Sequence, residues 1–201
     1  MPQVKSSLSL IYAVNPFGAD HMSSEHDPAY EAAFEYFKAR LGVLGLTQPQ
    51  KPRSLGPEKV DFARKTQYLC SMLDSLNLCQ FTFGPSWQLY GPQEIVKMLQ
   101  AVTGWDVTIE ELLTVGERRL NMMRVFNARE GIRREQDTLS EKFFQKPLKG
   151  GPSDGWKIDK AEWEAARDEY YRQSGWDVTS GTPTRQTLKR LSLGWVADKL
   201  G

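Results

Sequence analysis

From Pro57 to Leu76 the apolar residues Val60, Ala63, Leu69, Met72, Leu73 and Leu76 recur at helical spacing. That spacing gathers side chains on one face of a helix. A second such face, Tyr30, Ala33, Phe34, Phe37 and Leu41, comes after Asp27 and Pro28, an N-cap with proline at the first helical position, and Gly42 can stop that helix. Further helices are expected after Gly91-Pro92, and from Thr108 to Gly131, where Thr108 and Glu111 have capping-box spacing. Two more lie beyond the "KGGPSDG" break, in "DKAEWEAARDEYYRQSG" and "TPTRQTLKRLS". Strict alternation is confined to "SLSLIYAV", which reads as a buried strand or the end of one. The fold class is mainly α, an irregular multi-helix arrangement. "GLTQPQKPRSLGP", with three prolines and no periodicity, is a loop. We divide the chain into a helical segment, 1–90, and a C-terminal helical domain, 91–201.

Charge and composition narrow the function. With 26 basic and 25 acidic side chains in 201 residues, and no long like-charge run, nothing points to nucleic acid or to an anionic membrane surface. No segment has the apolar length of a transmembrane helix. Two cysteines make no disulfide framework, and a cytoplasmic protein is expected. "GWDVT" occurs twice, at 104–108 and 175–179. We read it as a turn: Gly ends a helix in the left-handed region, Trp packs back over the last turn, and Asp or Thr caps the next element.

The residues that stand out chemically lie in "MLDSLNLCQF", 71–80. Asp74 falls in the last turn of its helix, against the macrodipole. It is either solvated or, if buried, in need of a donor such as a ligand N–H. Asn77 suits the left-handed stop and swings Leu78 and Cys79 outside the helix. There Cys79 is either a metal ligand or a small buried hydrophobe; Cys70, on the helix itself, belongs to the core. His21, in "NPFGADHMSS", is either a general acid or base or a polar loop residue, and His26 has no special claim. No His or Cys pair has zinc-ligand spacing, and no phosphate loop or nucleophile elbow is present.

Taken in order, "IYAVNPFGADHM", "MLDSLNLCQF", "TGWDVTIEELLTVGERRLNMMRVFNAREGIRREQDTLSEKF" and "DEYYRQSGWDVTSGTPTRQTLKRLSL" resemble the C-terminal helical region, domains 2 and 3, of the aldehyde ferredoxin oxidoreductases. These are tungsten–pterin, iron–sulfur enzymes that oxidise an aldehyde to an acid and pass electrons to ferredoxin. The likeness runs from about residue 8 to about 193. Residues 74–79 match the family's D-x-x-G-L-C segment, with Asn77 in place of Gly. The resemblance implies that Asp74 hydrogen-bonds a tungstopterin or molybdopterin ring, that Leu78 adds backbone contacts, and that Cys79 is the fourth thiolate of a [4Fe–4S] cluster. It also implies that His21 assists proton transfer near the metal. Arg124, Asn127, Arg129 and Asp137 are read as helix-to-helix salt bridges and caps.

The family's C-x-x-C-x-x-x-C triplet and its second D-x-x-G-L segment have no counterpart here. The chain is therefore expected to be a fragment, a truncated product or a separate subunit. It would be inactive without a partner N-terminal domain and would bind no cofactor alone. A non-catalytic helical scaffold or interaction module derived from the family is the alternative.

Overall fold

The computed structural model describes residues 2–84 and 90–198, with only the backbone of Ala32 and Phe34. Within these residues the fold is helical, and the one β-type pairing is an isolated bridge between Trp176 and Pro183. The helices are α1 (Ser6–Val14), α2 (Asp27–Ala32), α3 (Phe34–Leu41), α4 (Pro57–Ser75), α5 (Gln80–Phe83), α6 (Pro92–Thr103), α7 (Ile109–Arg129), α8 (Lys142–Gln145), α9 (Lys160–Ser174), α10 (Arg185–Arg190) and α11 (Gly194–Ala197).

Helix α4 is the centre of the fold and packs against α7, α1 and α9. Its Val60 and Ala63 enter one core with Leu10, Trp163 and Tyr170. Its Phe62, Leu69, Met72 and Leu73 enter a second core with Tyr30, Phe37, Ile95 and Leu112. One helix thus carries two apolar faces, and each fully buried Leu or Phe contributes about 1.5–3 kcal/mol. The close crossing with α7 depends on Gly116: a Cβ there would lie 2.0 Å from the Tyr68 carbonyl oxygen. In the space it leaves, the Ser71 hydroxyl donates to the Gly116 carbonyl at 2.9 Å.

The segment "SLSLIYAV" is helix α1, not a strand. Nearly all of it is buried, so its apolar character carries no helical stripe, and its Ser–Leu alternation imitates period two. The helix satisfies its own backbone, and the Ser9 hydroxyl donates to the Ser6 carbonyl at 2.7 Å. The next helix also departs from expectation. Asp27 does not cap it: that position falls to His26, and the Asp27 carboxylate accepts the Ser7 N–H at 2.9 Å and pairs with Lys59 at 3.1 Å, fully buried. The helix breaks at Ala33, which is exposed, while Tyr30, Phe37 and Leu41 are buried as expected. The side chain of Phe34 lies outside the described residues. Gly42 stays right-handed and starts a 3₁₀ turn, and Gly45, at φ +74°, makes the stop.

The Thr108–Glu111 capping box forms in both directions. Gly104 and Gly175 end their helices at φ +72° and +68°. Only one tryptophan of the repeat packs back, however. Trp176 is 4 % exposed against Tyr170 and Tyr171, whereas Trp105 is 66 % exposed. Nor does the second copy cap a helix: Asp177 accepts from the Ser180 N–H, and Thr184 caps α10.

Arg124 and Asp137 form a buried two-pronged pair at 2.8 and 2.5 Å. The Arg124 Nε–H also donates to the Gly181 carbonyl at 2.7 Å, and Tyr171 O–H donates to Asp137. Arg129 bridges no helices; it pairs with its neighbour Glu130 at the surface.

Candidate functional site

The end of α4 is a complete Schellman turn. Leu78 N–H donates to the Leu73 carbonyl at 2.9 Å and Asn77 N–H to the Asp74 carbonyl at 3.2 Å, with Asn77 at φ +56°. Leu73 and Leu78 pack into the same core, which is the hydrophobic contact this motif calls for. The chain then leaves extended: Cys79, at φ −67° and ψ +121°, caps α5, and its carbonyl accepts the Thr82 and Phe83 N–H groups. The Cys79 thiol is exposed. Cys70 is buried, and burial pushes its thiol well up, so it is inert core.

Asp74 is solvent-exposed, and its Oδ2 pairs with Arg119 Nη1 of α7 at 3.0 Å. The same nitrogen reaches the Ser71 hydroxyl at 3.3 Å, and the guanidinium lies 5.6 Å from the centre of the Phe17 ring. Arg119 therefore ties Asp74 to the loop that carries His21. Nothing in its distance along the chain from Asp74 signals that contact.

That loop is internally braced. Asn15 Nδ2–H donates to the Gly18 carbonyl at 2.7 Å, and the Met22 N–H and Ser23 O–H donate to Asp20. Asn127 Nδ2–H of α7 donates to the Pro16 carbonyl at 2.5 Å. His26 has a larger part than the sequence suggested. Its Nδ1 receives the Lys5 ammonium at 3.0 Å, so Nε2 carries the hydrogen and donates to the His21 carbonyl at 2.8 Å. Burial pushes the His26 imidazolium down and keeps the ring neutral in this role.

His21 itself is exposed and lines a half-open cavity of about 270 Å³ with Met22, Glu25, His26, Cys70 and Phe81. Gln80 and Phe81, the two residues after Cys79, form part of the same wall, whereas Asp74 does not. The structure thus brings His21 and the Cys79 exit to one cavity and leaves Asp74 beside it, reached through Arg119 and Phe17. Glu25, on the cavity's buried side, is pushed up to about 8 by burial, although the Tyr30 hydroxyl bonded to it opposes the shift.

Two observations bear on what else could assemble here. Among the described residues no group of three or more His, Cys, Asp or Glu side chains converges to hold a metal, so a metal on Cys79 would take its other ligands from elsewhere. An apolar surface also adjoins the turn. Phe81 is 80 % exposed, and Leu76, Leu78, Phe83, Met98 and Val102 border a groove of about 210 Å³. No helix among the described residues is long and apolar enough to cross a membrane.

The family model for aldehyde ferredoxin oxidoreductase, domains 2 and 3, matches residues 1–193. The chain is 32% identical over 153 residues to the tungsten-containing aldehyde ferredoxin oxidoreductase of Pyrococcus horikoshii, covering 75% of this chain and 24% of that protein. The enzyme of the same name from Thermococcus kodakarensis is 33% identical over equal shares. The WOR-like subunit of an aliphatic sulfonate oxidoreductase from Pyrococcus furiosus is 27% identical over 60% of this chain and 19% of that one. The chain therefore spans about a quarter of the length of the curated relatives it matches. Among solved structures, a chain of the active site complex BamBC of benzoyl coenzyme A reductase, in complex with 1,5-dienoyl-CoA, superposes with a TM-score of 0.66. That match has 20% identity and covers 97% of this chain and 31% of the other; it attests the helical fold.

Proposed function

The chain belongs to the aldehyde ferredoxin oxidoreductase family, and from that premise we propose that it supplies the C-terminal wall of a tungstopterin, iron–sulfur oxidoreductase. The complete enzyme would oxidise an aldehyde to a carboxylic acid and pass the electrons to ferredoxin. The other wall, with the remaining cluster thiolates and the second pterin grip, comes from a partner domain or subunit, without which the chain is inactive.

The observation that carries this reading is the Schellman turn at 74–79, which leaves a carboxylate at its start and a thiol at its exit, both exposed. Those two groups fit a bound pterin and cluster that need one N–H acceptor and one thiolate from this side. Asp74 would accept pterin N–H groups while Arg119 holds its Oδ2. Leu78 fixes the backbone beside it, and Cys79 would ligate one iron. When bound, a tungsten–pterin centre would supply the two-electron acceptor for the aldehyde. His21 lines the adjoining cavity, where its imidazole can accept a proton released as water adds oxygen to the carbonyl carbon. His26 and Lys5 hold the His21 backbone in place. The apolar groove beside the turn supports a docked partner.

The non-catalytic module has one observation in its favour: Asp74 is already paired within the chain, by Arg119. Iron and tungsten content of the protein isolated anaerobically from its source, together with whatever co-purifies, separates the two. Metal with a second chain supports the enzyme part, and neither supports the module. In the assembled enzyme Cys79→Ser abolishes the cluster while the helical fold persists; an intact cluster refutes the ligand assignment.

A further inference from the structure

The loop that carries His21 is held from deep in the core as well as from within. Tyr170 of α9 donates its O–H to Gln67 Oε1 of α4. Gln67 Nε2–H donates to Asn15 Oδ1 at 3.2 Å, at the C-terminal end of α1. Asn15 places the hydrogens of its amide on the loop, at the Gly18 carbonyl, 2.7 Å away, and the Ser23 hydroxyl oxygen, 3.2 Å away. Ser23 O–H donates in turn to Asp20 Oδ2 at 2.9 Å, while the Met22 N–H takes Oδ1 at 3.0 Å. Tyr170, Gln67, Asn15 and Ser23 are all buried, so water competes little along this run of bonds.

Every side-chain donor in the run points the same way, and the carboxylate at its end sets that direction. A carboxylate only accepts. Ser23 must therefore give its one hydrogen to Asp20, and its oxygen is left to accept from Asn15. With Nδ2 turned to the loop, Asn15 faces Gln67 with Oδ1 and takes a hydrogen from it. Gln67 is left with Oε1 facing Tyr170, whose O–H completes the run. Burial pushes the Tyr170 hydroxyl up, which keeps it a donor. Hydrogen bonds ordered head to tail polarise and strengthen one another. We propose that Tyr170, Gln67 and Asn15 are positioning residues for His21, a one-way hydrogen-bond run that fixes residues 18–23 from the far side of the core. Asn127 at the Pro16 carbonyl and His26 at the His21 carbonyl secure the same loop independently. The use made of His21 rests on the function proposed above; the run of bonds does not.

Hydrogen exchange and NMR of the full ¹⁵N-labelled chain test it. Tyr170→Phe removes one hydroxyl and keeps the ring against Trp176. Relative to a core amide such as that of Leu120, exchange at the Met22 N–H should quicken about threefold in Tyr170→Phe and about fivefold in Ser23→Ala. The double variant should match Ser23→Ala alone, because the run is already cut beside Asp20; independent contacts would multiply instead. The Asn15 side-chain amide protons, two links from the lost hydroxyl, should move upfield in Tyr170→Phe as the polarisation falls. Gln67→Met cuts the run in its middle and should quicken Met22 as Tyr170→Phe does. A Met22 rate unchanged in both Tyr170→Phe and Gln67→Met, unmoved Asn15 amide protons, or multiplied effects in the double variant would each overturn the proposal. None of these readouts involves metal, pterin or turnover, so the proton-transfer role of His21 can fail while the positioning run stands, and the reverse.

Discussion

A single added methyl at Gly116 tests how the site is held. On an ordinary helix surface Gly→Ala stabilises by about 1 kcal/mol. Here the new Cβ would sit 2.0 Å from the Tyr68 carbonyl oxygen and 2.9 Å from the Met72 nitrogen, both backbone atoms of α4, where ordinary contact begins at 3.4 Å. Neither atom can rotate away. Relief requires α7 to withdraw from α4 by more than an ångström, opening the packed crossing and stretching the Ser71–Gly116 hydrogen bond. Overpacking of this kind costs about 1–3 kcal/mol, and with backbone on both sides the upper end applies. After the propensity gain, Gly116→Ala should lose about 2 kcal/mol, a fall in Tm of roughly 4–8 °C for a chain of this size. Thermal unfolding followed by circular dichroism reads it directly. A variant as stable as the parent, or more so, would refute the argument, because the sign itself is at stake. The same withdrawal pulls Arg119 from Asp74, which sit on the two helices that part.

Other perturbations act on the same network of contacts. Arg124→Met leaves a buried carboxylate without its guanidinium and should cost about 3–5 kcal/mol, measured by urea unfolding. The double change Arg124→Met with Asp137→Leu should cost less than the sum of the two single changes. Asn77→Ala, forced to φ +56°, should cost about 1 kcal/mol and Asn77→Gly close to nothing; equal losses in both would mean the Asn77 side chain, not its backbone, matters. Glu25 gives stability a slope with pH. The folded chain keeps until about pH 8 a proton that the unfolded chain releases near 4.5, so stability falls as pH rises between those values and levels off above. Glu25→Gln should remove that slope, gaining on the order of 4 kcal/mol over the parent at the alkaline end, and parallel stability–pH curves would contradict it.

Much of the fold is readable from residue order. The α4 stripe, the Asn77 stop, the Thr108–Glu111 box and the two left-handed glycines are local, fixed by residues within a turn of one another. What escapes the sequence depends on neighbours far along the chain. Helix α1 is buried on every side, so it has no stripe to read. Asp27 looks like a cap until Lys59 and the Ser7 N–H are brought to it. The two GWDVT copies make the same left-handed turn, yet only one finds Tyr170 and Tyr171 to receive its tryptophan. At the site, Asp74, Asn77 and Cys79 stand out as a group, and their turn geometry is the expected one. The roles of Arg119, Glu25 and His26 come from packing between helices, which spacing along the chain does not encode.

The contrast between the two cysteines gives the molecule a built-in chemical handle. Cys79 is open to solvent, whereas Cys70 is 4 % exposed and burial holds its thiol protonated, so a maleimide or iodoacetamide modifies the folded chain far faster at Cys79 and the unfolded chain at both. The favoured native adduct lies at the turn where a partner's cofactor would have to arrive. Protection of that thiol from labelling would time the arrival without any need for turnover.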